Sequence, residues 1–218
     1  MLDRIHWLGH SSFSLQGPPL IYIDPVGITR NAFLADVILI SQASYDHCSA
    51  LDVRKLVGPD TIVVGNDEVA RALEDETVRV LRPWQSLTVE RLRITAVPAA
   101  AGEDMPVSPA AEGNQPAARQ ASLGYLISLD YYDLYYAGAT VAAPEIALHP
   151  DIAILPVRDA RSGLTSIDAS VAAIRQMQPR WVIPSHWSSG PGGGFLDVKA
   201  FQAAVGDLAE VVIPDRIA

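Results

Sequence analysis

The sequence contains little cysteine, little basic charge and no long apolar run. Cys48 is the only cysteine among 218 residues, which excludes an internal disulfide framework and is typical of a reducing compartment. No apolar stretch approaches the roughly 20 residues that a membrane-spanning helix needs. The first residues also do not place a basic segment before an apolar one, as a secretory signal does. We therefore expect a cytoplasmic protein with no membrane partner.

Acidic residues outnumber basic ones, by 25 to 16, and the formal net charge is −9. Surfaces that bind nucleic acids usually carry a basic stripe, so we expect no nucleic-acid partner. Apolar residues make up 49% of the chain and charged residues 19%, a composition typical of a well-packed globular protein. The sequence predicts a single domain over residues 1–218, with a flexible Ala/Pro-rich loop over about 98–121.

Short apolar runs, bounded by turn residues, alternate with amphipathic segments along much of the chain. Ser49 and Asp52 have the spacing of a capping box at the start of one helix, and Asn66 is a capping residue for the next. The pattern predicts a layered α/β protein. The predicted strands cover residues 5–8, 20–23, 37–40, 61–64, 78–81, 92–97, 123–129, 132–136, 151–156 and 181–184. The predicted helices cover 49–57, 66–73 and 165–176, and a last one begins near 195.

The most informative segment joins the strand at 37–40 to the helix that starts at Ser49. Its polar loop contains Asp46 and His47 side by side, and His186 follows a later strand. Loops at the ends of strands are where α/β folds usually bind ligands, and carboxylate and imidazole groups bind divalent metals. The other interpretation is that Asp46 caps the helix and His186 is hydrogen-bonded in the core. Cys48 could add a soft ligand, but we expect an inert, buried thiol.

The loop SQASYDHCSALD resembles the signature of the metallo-β-lactamase superfamily, His-x-His-x-Asp-His after a buried strand. The segments IHWLGHSSF, IDP, YYAGAT and VIPSH are similar to further family segments, in the same order. The resemblance extends over almost the whole chain and is strongest to the branch of ascorbate-phosphate lactonases and "metal-dependent hydrolases". It implies an α/β fold, specifically a four-layer αββα sandwich of two mixed β-sheets flanked by helices.

The resemblance also implies a dinuclear metal site, of which this chain keeps only part. The retained ligands are Asp46, His47 and His186. No ligand stands at the other positions, where the chain has Gln42, Ser44, Ala139 and the alanines at 99–101. No histidine occurs between His47 and His149, so none can substitute from nearby in the sequence.

Two further residues are assigned by the resemblance to the surroundings of the metal. His10 lies on the substrate side of the pocket, or it is hydrogen-bonded within the first hairpin. Asp24 either orients a metal-binding histidine or accepts loop N–H groups. We interpret His6, inside a strand, as structural.

Three hypotheses follow. The leading one is a pseudoenzyme with a degenerate site, which binds an unknown small molecule or a protein partner and needs no metal. The alternative is a hydrolase of a lactone, ester or phosphoester with one zinc, manganese or iron ion on Asp46, His47 and His186. In this hydrolase hypothesis, the candidates for catalytic residues are Asp46 and His10. The third is a structural subunit of a homo-oligomer.

Overall fold

A computed structural model describes residues 1–75, 77–99, 122–141, 148–157, 167–187 and 195–214. These residues form two mixed β-sheets, of six and seven strands. The strands are β1 Ile5–Gly9, β2 Ser12–Leu15, β3 Ile21–Ile23, β4 Val37–Leu39, β5 Ile62–Gly65, β6 Arg79–Val80, β7 Ser86–Val89, β8 Leu92–Pro98, β9 Leu123–Leu129, β10 Tyr132–Tyr136, β11 Ile152–Pro156, β12 Trp181–Ser185 and β13 Glu210–Val211. The helices are α1 Ala50–Leu56, α2 Asp67–Leu73, α3 Ile167–Met177 and α4 Phe195–Val205, and short 3-10 turns cover Leu2–Arg4 and Gly206–Leu208.

Each sheet is antiparallel at one side and parallel at the other. The first runs β1-β2-β3-β4-β5-β6, with antiparallel pairing as far as β3 and parallel pairing beyond it. The second runs β13-β12-β11-β10-β9-β8-β7, with parallel pairing as far as β10 and antiparallel pairing beyond it. Strands β1, β3 and β4 therefore end at one edge of the first sheet, and β10 and β12 share a direction in the second.

Alternating side chains on the central strands separate the core into layers. Val37 and Leu39 on β4 join the cluster between the two sheets, whereas Ile38 and Ile40 join the cluster that contains α1 and α2 side chains. A third cluster packs the outer face of the second sheet against α3 and α4, with Phe201 fully buried. Because strands with apolar residues on both faces need cover on both, the result is helix, sheet, sheet, helix. The predicted αββα architecture is confirmed.

The helix caps formed as the sequence predicts. The Ser49 side chain accepts a hydrogen bond from the Asp52 N–H at the start of α1, and the Asn66 side chain accepts one from Val69 N–H at the start of α2. Strands β9 and β10 have the predicted bounds. The first residues of the helix predicted at 165–176, which are 165 and 166, and the loop at 100–121 lie outside the described residues.

The strands predicted at 5–8 and 20–23 would form a first pair, and this pairing is wrong. Strand β2 lies between β1 and β3 and pairs with both. The sequence analysis predicts no strand over its residues, Ser12–Leu15, where serines alternate with Phe13 and Leu15. All four side chains are buried. The serines can therefore lie in the interior because protein groups, rather than water, satisfy their hydroxyls, as the Asp24 carbonyl does for Ser12. Strands β7 and β13 were also missed, as short, half-exposed edge strands carry little apolar signal.

In the described part of the chain, no helix is long and apolar enough to cross a membrane.

Candidate metal centre

Three histidines from distant parts of the chain meet where strands of the two sheets end. His10 follows β1, His47 lies in the loop after β4, and His186 follows β12. One ring nitrogen from each lies within 4.8 Å of the others. His47 and His186 are buried, with 0% and 1% exposure, whereas the His10 side chain is 23% exposed. The cluster therefore has a buried end and an end that faces solvent.

The two buried imidazoles face each other. His47 Nε2 lies 3.1 Å from His186 Nε2, and two nitrogen lone pairs at that separation would repel. A proton or a cation must therefore lie between them. Two nitrogens bound to the same tetrahedral zinc, at about 2.0–2.1 Å each, are separated by about 3.3 Å. The separation in this structure is close to that value.

Asp24 fixes the orientation of His47 by contacting the ring nitrogen that points away from the cluster. Its carboxylate is fully buried and lies 2.6 Å from His47 Nδ1. It also accepts hydrogen bonds from the Ser41 N–H at 2.7 Å, the Ser41 hydroxyl at 2.6 Å and the Tyr136 hydroxyl at 2.5 Å. Because the carboxylate accepts at Nδ1, the Nε2 lone pair of a neutral His47 points into the cluster. Asp24 therefore both orients a histidine and accepts a hydrogen bond from a loop N–H. The two roles were predicted as alternatives, and the structure combines them.

Tyr136, at the end of β10, connects the second sheet to this arrangement. Burial, followed by the negative charge of Asp24, raises the pKa of the Tyr136 hydroxyl well above its ordinary value. The phenol therefore keeps its proton and donates a hydrogen bond to Asp24. Tyr125 on β9 makes a similar contact, 2.7 Å from its hydroxyl to the Ile40 carbonyl of the first sheet. Sequence reasoning missed both roles, since a tyrosine in an aromatic hairpin reads as core.

Asp46 lies at the open end of the cluster, next to His10. Its Oδ2 is 3.3 Å from His10 Nε2 and 3.9 Å from His47 Nε2, and its side chain is 13% exposed. Burial alone would raise the pKa of Asp46. The hydrogen bond with His10, the charge of His47 and a hydrogen bond from Ser44 outweigh burial and lower the pKa below its usual range. Asp46 is therefore a carboxylate at neutral pH.

The ring of His186 is held neutral. Burial, followed by the positive charges of His47 and His10, lowers the pKa of His186 well below its ordinary value. Neutral imidazole is the form that binds a metal. Its Nδ1 lies 3.0 Å from the Ser185 hydroxyl, which can donate to that nitrogen or accept from it.

The backbone at the site adopts an uncommon conformation. His10, Asp24 and His186 all have positive φ, at 48°, 45° and 60°. Left-handed conformations cost non-glycine residues of order 1 kcal/mol or more and concentrate at functional sites. The His10 carbonyl accepts from His186 N–H at 3.1 Å and from the Trp7 indole at 3.2 Å, so the turns that carry these histidines are bonded together. Trp7 also stacks on Trp187 with 4.4 Å between ring centroids.

The positions at which the family resemblance predicts missing ligands contain hydrogen-bonded or apolar groups. Ser122 donates to Gln42 Oε1 and Gln42 Nε2 donates to the Ser44 hydroxyl, each at 2.8 Å. Ala99 is buried, and Ala139 lies in a turn beside the site loop. This turn approaches closely because Gly138, with φ of 71°, has no side chain, and a Cβ there would lie 3.3 Å from Ser41.

Cys48 does not join the cluster of metal-binding side chains. Burial, followed by the charge of Asp24, raises the pKa of its thiol to about 11. It is therefore a protonated thiol at neutral pH, which agrees with the expected inert state, although the residue is half-buried and not fully buried.

The structure groups His10, which the sequence had left undecided, with His47 and His186. Asp46 lies beside this group, with its Oδ2 3.3 Å from His10 Nε2 and 3.9 Å from His47 Nε2, and is not a member of it. The ligand set of Asp46, His47 and His186 therefore stays a prediction. His6 lies within β1, paired with Ser14, outside the cluster. The buried nitrogens, the adjacent carboxylate and the histidine oriented from behind fit a divalent metal of the zinc, manganese or iron type.

A two-sheet αββα sandwich with a histidine–aspartate cluster at the strand ends defines a class of metal-dependent proteins. The sequence model of the β-lactamase superfamily domain matches residues 4–186. The chain belongs to this superfamily.

The relatives extend over nearly the whole chain. A UPF0173 metal-dependent hydrolase of Thermococcus kodakarensis is 28% identical over 229 residues, which cover 96% of this chain and 95% of the relative. One of Methanoculleus marisnigri is 30% identical over 200 residues, 86% of this chain and 82% of the relative.

Solved structures show the same fold at lower identity. A metallo hydrolase of Ignicoccus hospitalis has a TM-score of 0.74 at 20% identity, over 98% of this chain and 95% of that one. An isothiocyanate hydrolase from Delia radicum gut bacteria has a TM-score of 0.69 at 15% identity, over 97% and 95%. At these identities the likeness establishes the fold and leaves the substrate open.

Proposed function

We propose that the protein is a metal-dependent hydrolase with a single divalent metal, held by His47, His186 and Asp46. The proposal depends mainly on one observation. Two buried imidazole nitrogens face each other at 3.1 Å, with a carboxylate oxygen 3.9 Å from one of them. Two histidines and a carboxylate form a complete protein ligand set for a catalytic zinc site and for non-haem iron(II). A metal bound there would polarise a carbonyl or phosphoryl oxygen and acidify a water molecule.

His10 is the acid–base group in this proposal. Its Nε2 hydrogen-bonds to Asp46, and it is the most exposed of the three imidazoles. An imidazole in this position can accept a proton from water and return it to a leaving group. Asp24 hydrogen-bonds to the His47 ring on the side away from the cluster, and Tyr136 donates to Asp24. In this proposal, both residues serve to orient the ring. The proposed substrates are lactones, esters or phosphoesters.

The test combines metal content with turnover in untagged protein. Elemental mass spectrometry after separate incubation with zinc, manganese and iron(II) should find about one metal per chain, lost in His47→Ala and in His186→Ala. In His10→Ala the metal should remain, and kcat on the best substrate of a lactone, ester and phosphodiester panel should fall about 10²- to 10⁴-fold. His6→Ala, a half-buried histidine outside the cluster, is the matched control.

Two results would change the assignment. If His10→Ala also loses the metal, then His10 is a ligand, and Asp46 becomes the candidate for the acid–base role. If the wild-type chain takes up no metal under any of these conditions, the hydrolase proposal fails.

The second candidate is the pseudoenzyme, which the Gln42 contacts favour. Gln42 and Ser44 stand where the resemblance predicts histidines, and they are hydrogen-bonded to each other, with Ser122 donating to Gln42. One half of a dinuclear site would therefore offer no imidazole at these two positions. Binding of a small anionic metabolite by the metal-free protein, with no turnover on the substrate panel, would support it. An assembly role in a homo-oligomer also stays a prediction, and a monomer at micromolar concentration would count against it.

A further inference from the structure

Exposed apolar side chains are concentrated on one side of the molecule, around helix α1. Nine large apolar side chains are exposed in the described part of the chain, and four of them lie on α1 or close to it. These are Phe33, Leu34, Leu51 and Val57, with exposures of 78%, 56%, 72% and 39%, and we call them the α1 patch. Apolar side chains exposed singly are ordinary, whereas a group of them usually marks an interaction site.

The loop that carries Phe33 and Leu34 is held against the end of α1. The Ala35 N–H donates to the Leu56 carbonyl at 2.8 Å. A Cβ on Gly58 would lie 3.0 Å from a methyl carbon of Leu34, so the Leu34 side chain lies directly against the residue that follows Val57. The loop and the helix therefore form one continuous apolar surface, although they are separated in the sequence.

A groove between α1 and α2 adjoins the α1 patch. Its volume is about 170 Å³, and it is lined by Ala50, Val53, Arg54, Val57, Leu73 and Asp75. Val57 thus belongs to both the groove and the patch. A cavity of about 150 Å³ with apolar walls can hold a benzene molecule, so this groove is large enough for a phenyl ring. The ring of Phe33 does not fill the groove of its own chain, since that side chain is 78% exposed.

A projecting ring and a recess on the same surface are what a two-fold dimer requires. In such an interface, residue i of one copy contacts residue j of its partner, and residue j of the first copy contacts residue i of the second. Phe33 of each copy can therefore enter the groove of the other copy at the same time. A partner of different sequence would need only the ring or only the recess.

The charges at the groove also favour a second copy. The whole chain has a net charge of −9, which makes two copies repel each other in general. The groove, however, is lined by one basic and one acidic residue, Arg54 and Asp75. A two-fold arrangement allows Arg54 of each copy to lie opposite Asp75 of the other, so the charges of the two surfaces are complementary. A partner with charges of only one sign would lack this match.

We propose that the α1 patch is a dimer interface, in which Phe33 of each copy occupies the groove between α1 and α2 of a second copy of this chain. None of these residues belongs to the histidine cluster. The inference is therefore independent of the proposed hydrolase function.

The first test is sedimentation equilibrium of the full chain at micromolar concentrations, which measures the dimer dissociation constant. The wild type should dimerise, and Phe33→Asp should raise the dissociation constant at least about 30-fold, as expected for the loss of a residue that dominates an interface. Because Phe33 is exposed in the single chain, this variant should unfold in denaturant as the dilute wild type does. Tyr131→Asp, an exposed aromatic residue in the turn between β9 and β10, is the matched control and should still dimerise.

A second test asks whether Phe33 enters this groove. Ala50→Trp places a large side chain in the groove and should also raise the dissociation constant. If both changes remove the same contact, the double variant should dimerise no more weakly than Phe33→Asp, to within about twofold. Effects that multiply would show that Phe33 and the groove act separately, and they would overturn the proposed arrangement.

The remaining outcomes are equally decisive. A wild-type chain that stays monomeric at micromolar concentrations overturns the dimer, even if the patch proves to bind a different protein. A dimer that is not weakened in Phe33→Asp overturns the interface, since another surface then joins the copies. Phe33→Asp should take up metal as the wild type does, so the metal content of the wild type tests the hydrolase proposal separately.

Discussion

The substitution Asp24→Asn changes one oxygen of the group behind His47 to an NH2. In the native structure Oδ1 accepts from the Ser41 N–H, whereas Oδ2 accepts from the Ser41 and Tyr136 hydroxyls and lies next to His47 Nδ1. Asparagine offers one acceptor oxygen and one donor nitrogen. Whichever way the amide turns, its NH2 group faces at least one existing donor.

The orientation that preserves most contacts places the NH2 group against the Ser41 N–H. A buried donor left without an acceptor costs about 1–3 kcal/mol, and hydrogen bonds to a neutral group are about 1 kcal/mol weaker than those to a charged one. Relief of the cost of burying a charge offsets part of this loss. We expect the free energy of unfolding of the metal-free protein to fall by about 2–5 kcal/mol. The metal dissociation constant should rise about 10- to 100-fold, because a neutral amide oxygen holds the His47 Nδ1–H more weakly than a carboxylate does and leaves the imidazole a weaker ligand.

Denaturant unfolding of the metal-free protein measures the first quantity, and chelator competition measures the second. Asp60→Asn changes the same atoms at an exposed position and should alter neither. Tyr136→Phe removes one of the donors to Asp24 and should give a smaller change of the same sign in both quantities. It also serves if Asp24→Asn does not fold. If Asp24→Asn and Tyr136→Phe both retain wild-type stability and affinity, the reasoning about this buried carboxylate is wrong.

Three further predictions concern other parts of the site. The metal-free protein should lose stability as the pH falls below about 6.5, because the unfolded chain then protonates His186 while burial keeps the folded form neutral. Unfolding by urea from pH 7.5 to 5.5 should show a slope of up to about 1.4 kcal/mol per pH unit, reduced in His186→Gln. Cys48, with a thiol pKa of about 11, should react far more slowly at pH 8 with a disulfide reagent than free cysteine does, and Cys48→Ala should keep its metal. The stacked indoles of Trp7 and Trp187 should show a coupling of about 0.5–1.5 kcal/mol when each is replaced by leucine, singly and together; additive losses would contradict the stacking.

The layered architecture could be predicted because its signal is local. Alternation such as that of Val37 and Ile38 assigns successive side chains to opposite faces of a strand, and the caps at Ser49 and Asn66 mark where helices begin. The loop with Asp46 and His47 could be singled out for the same reason, since the two residues are adjacent in the sequence.

The remaining part of the site depends on long-range contacts, which carry no local signal. His10 lies 36 residues from Asp46 in the sequence, and nothing in GHSSF distinguishes a histidine bonded in a hairpin from one in a metal cluster. Ser122 lies 80 residues from Gln42. Their contacts exist only because the ends of β1 and β4 lie near the start of β9. The interior serines of β2 misled the strand assignment because their partners, such as the Asp24 carbonyl, are likewise supplied by another strand.

The two sheets contribute separately to the cluster. His10 and His47 extend from the first sheet, whereas His186 extends from the second, and separation of the sheets would remove one imidazole from the other two. A metal held by both sheets would bind the folded chain and not the opened one, and it would add about 2.7 kcal/mol of stability when present at 100 times its dissociation constant. Proteases act on the opened form. The abundance of this protein in a cell would therefore follow the supply of the metal, falling under starvation with no change in the transcription of its gene.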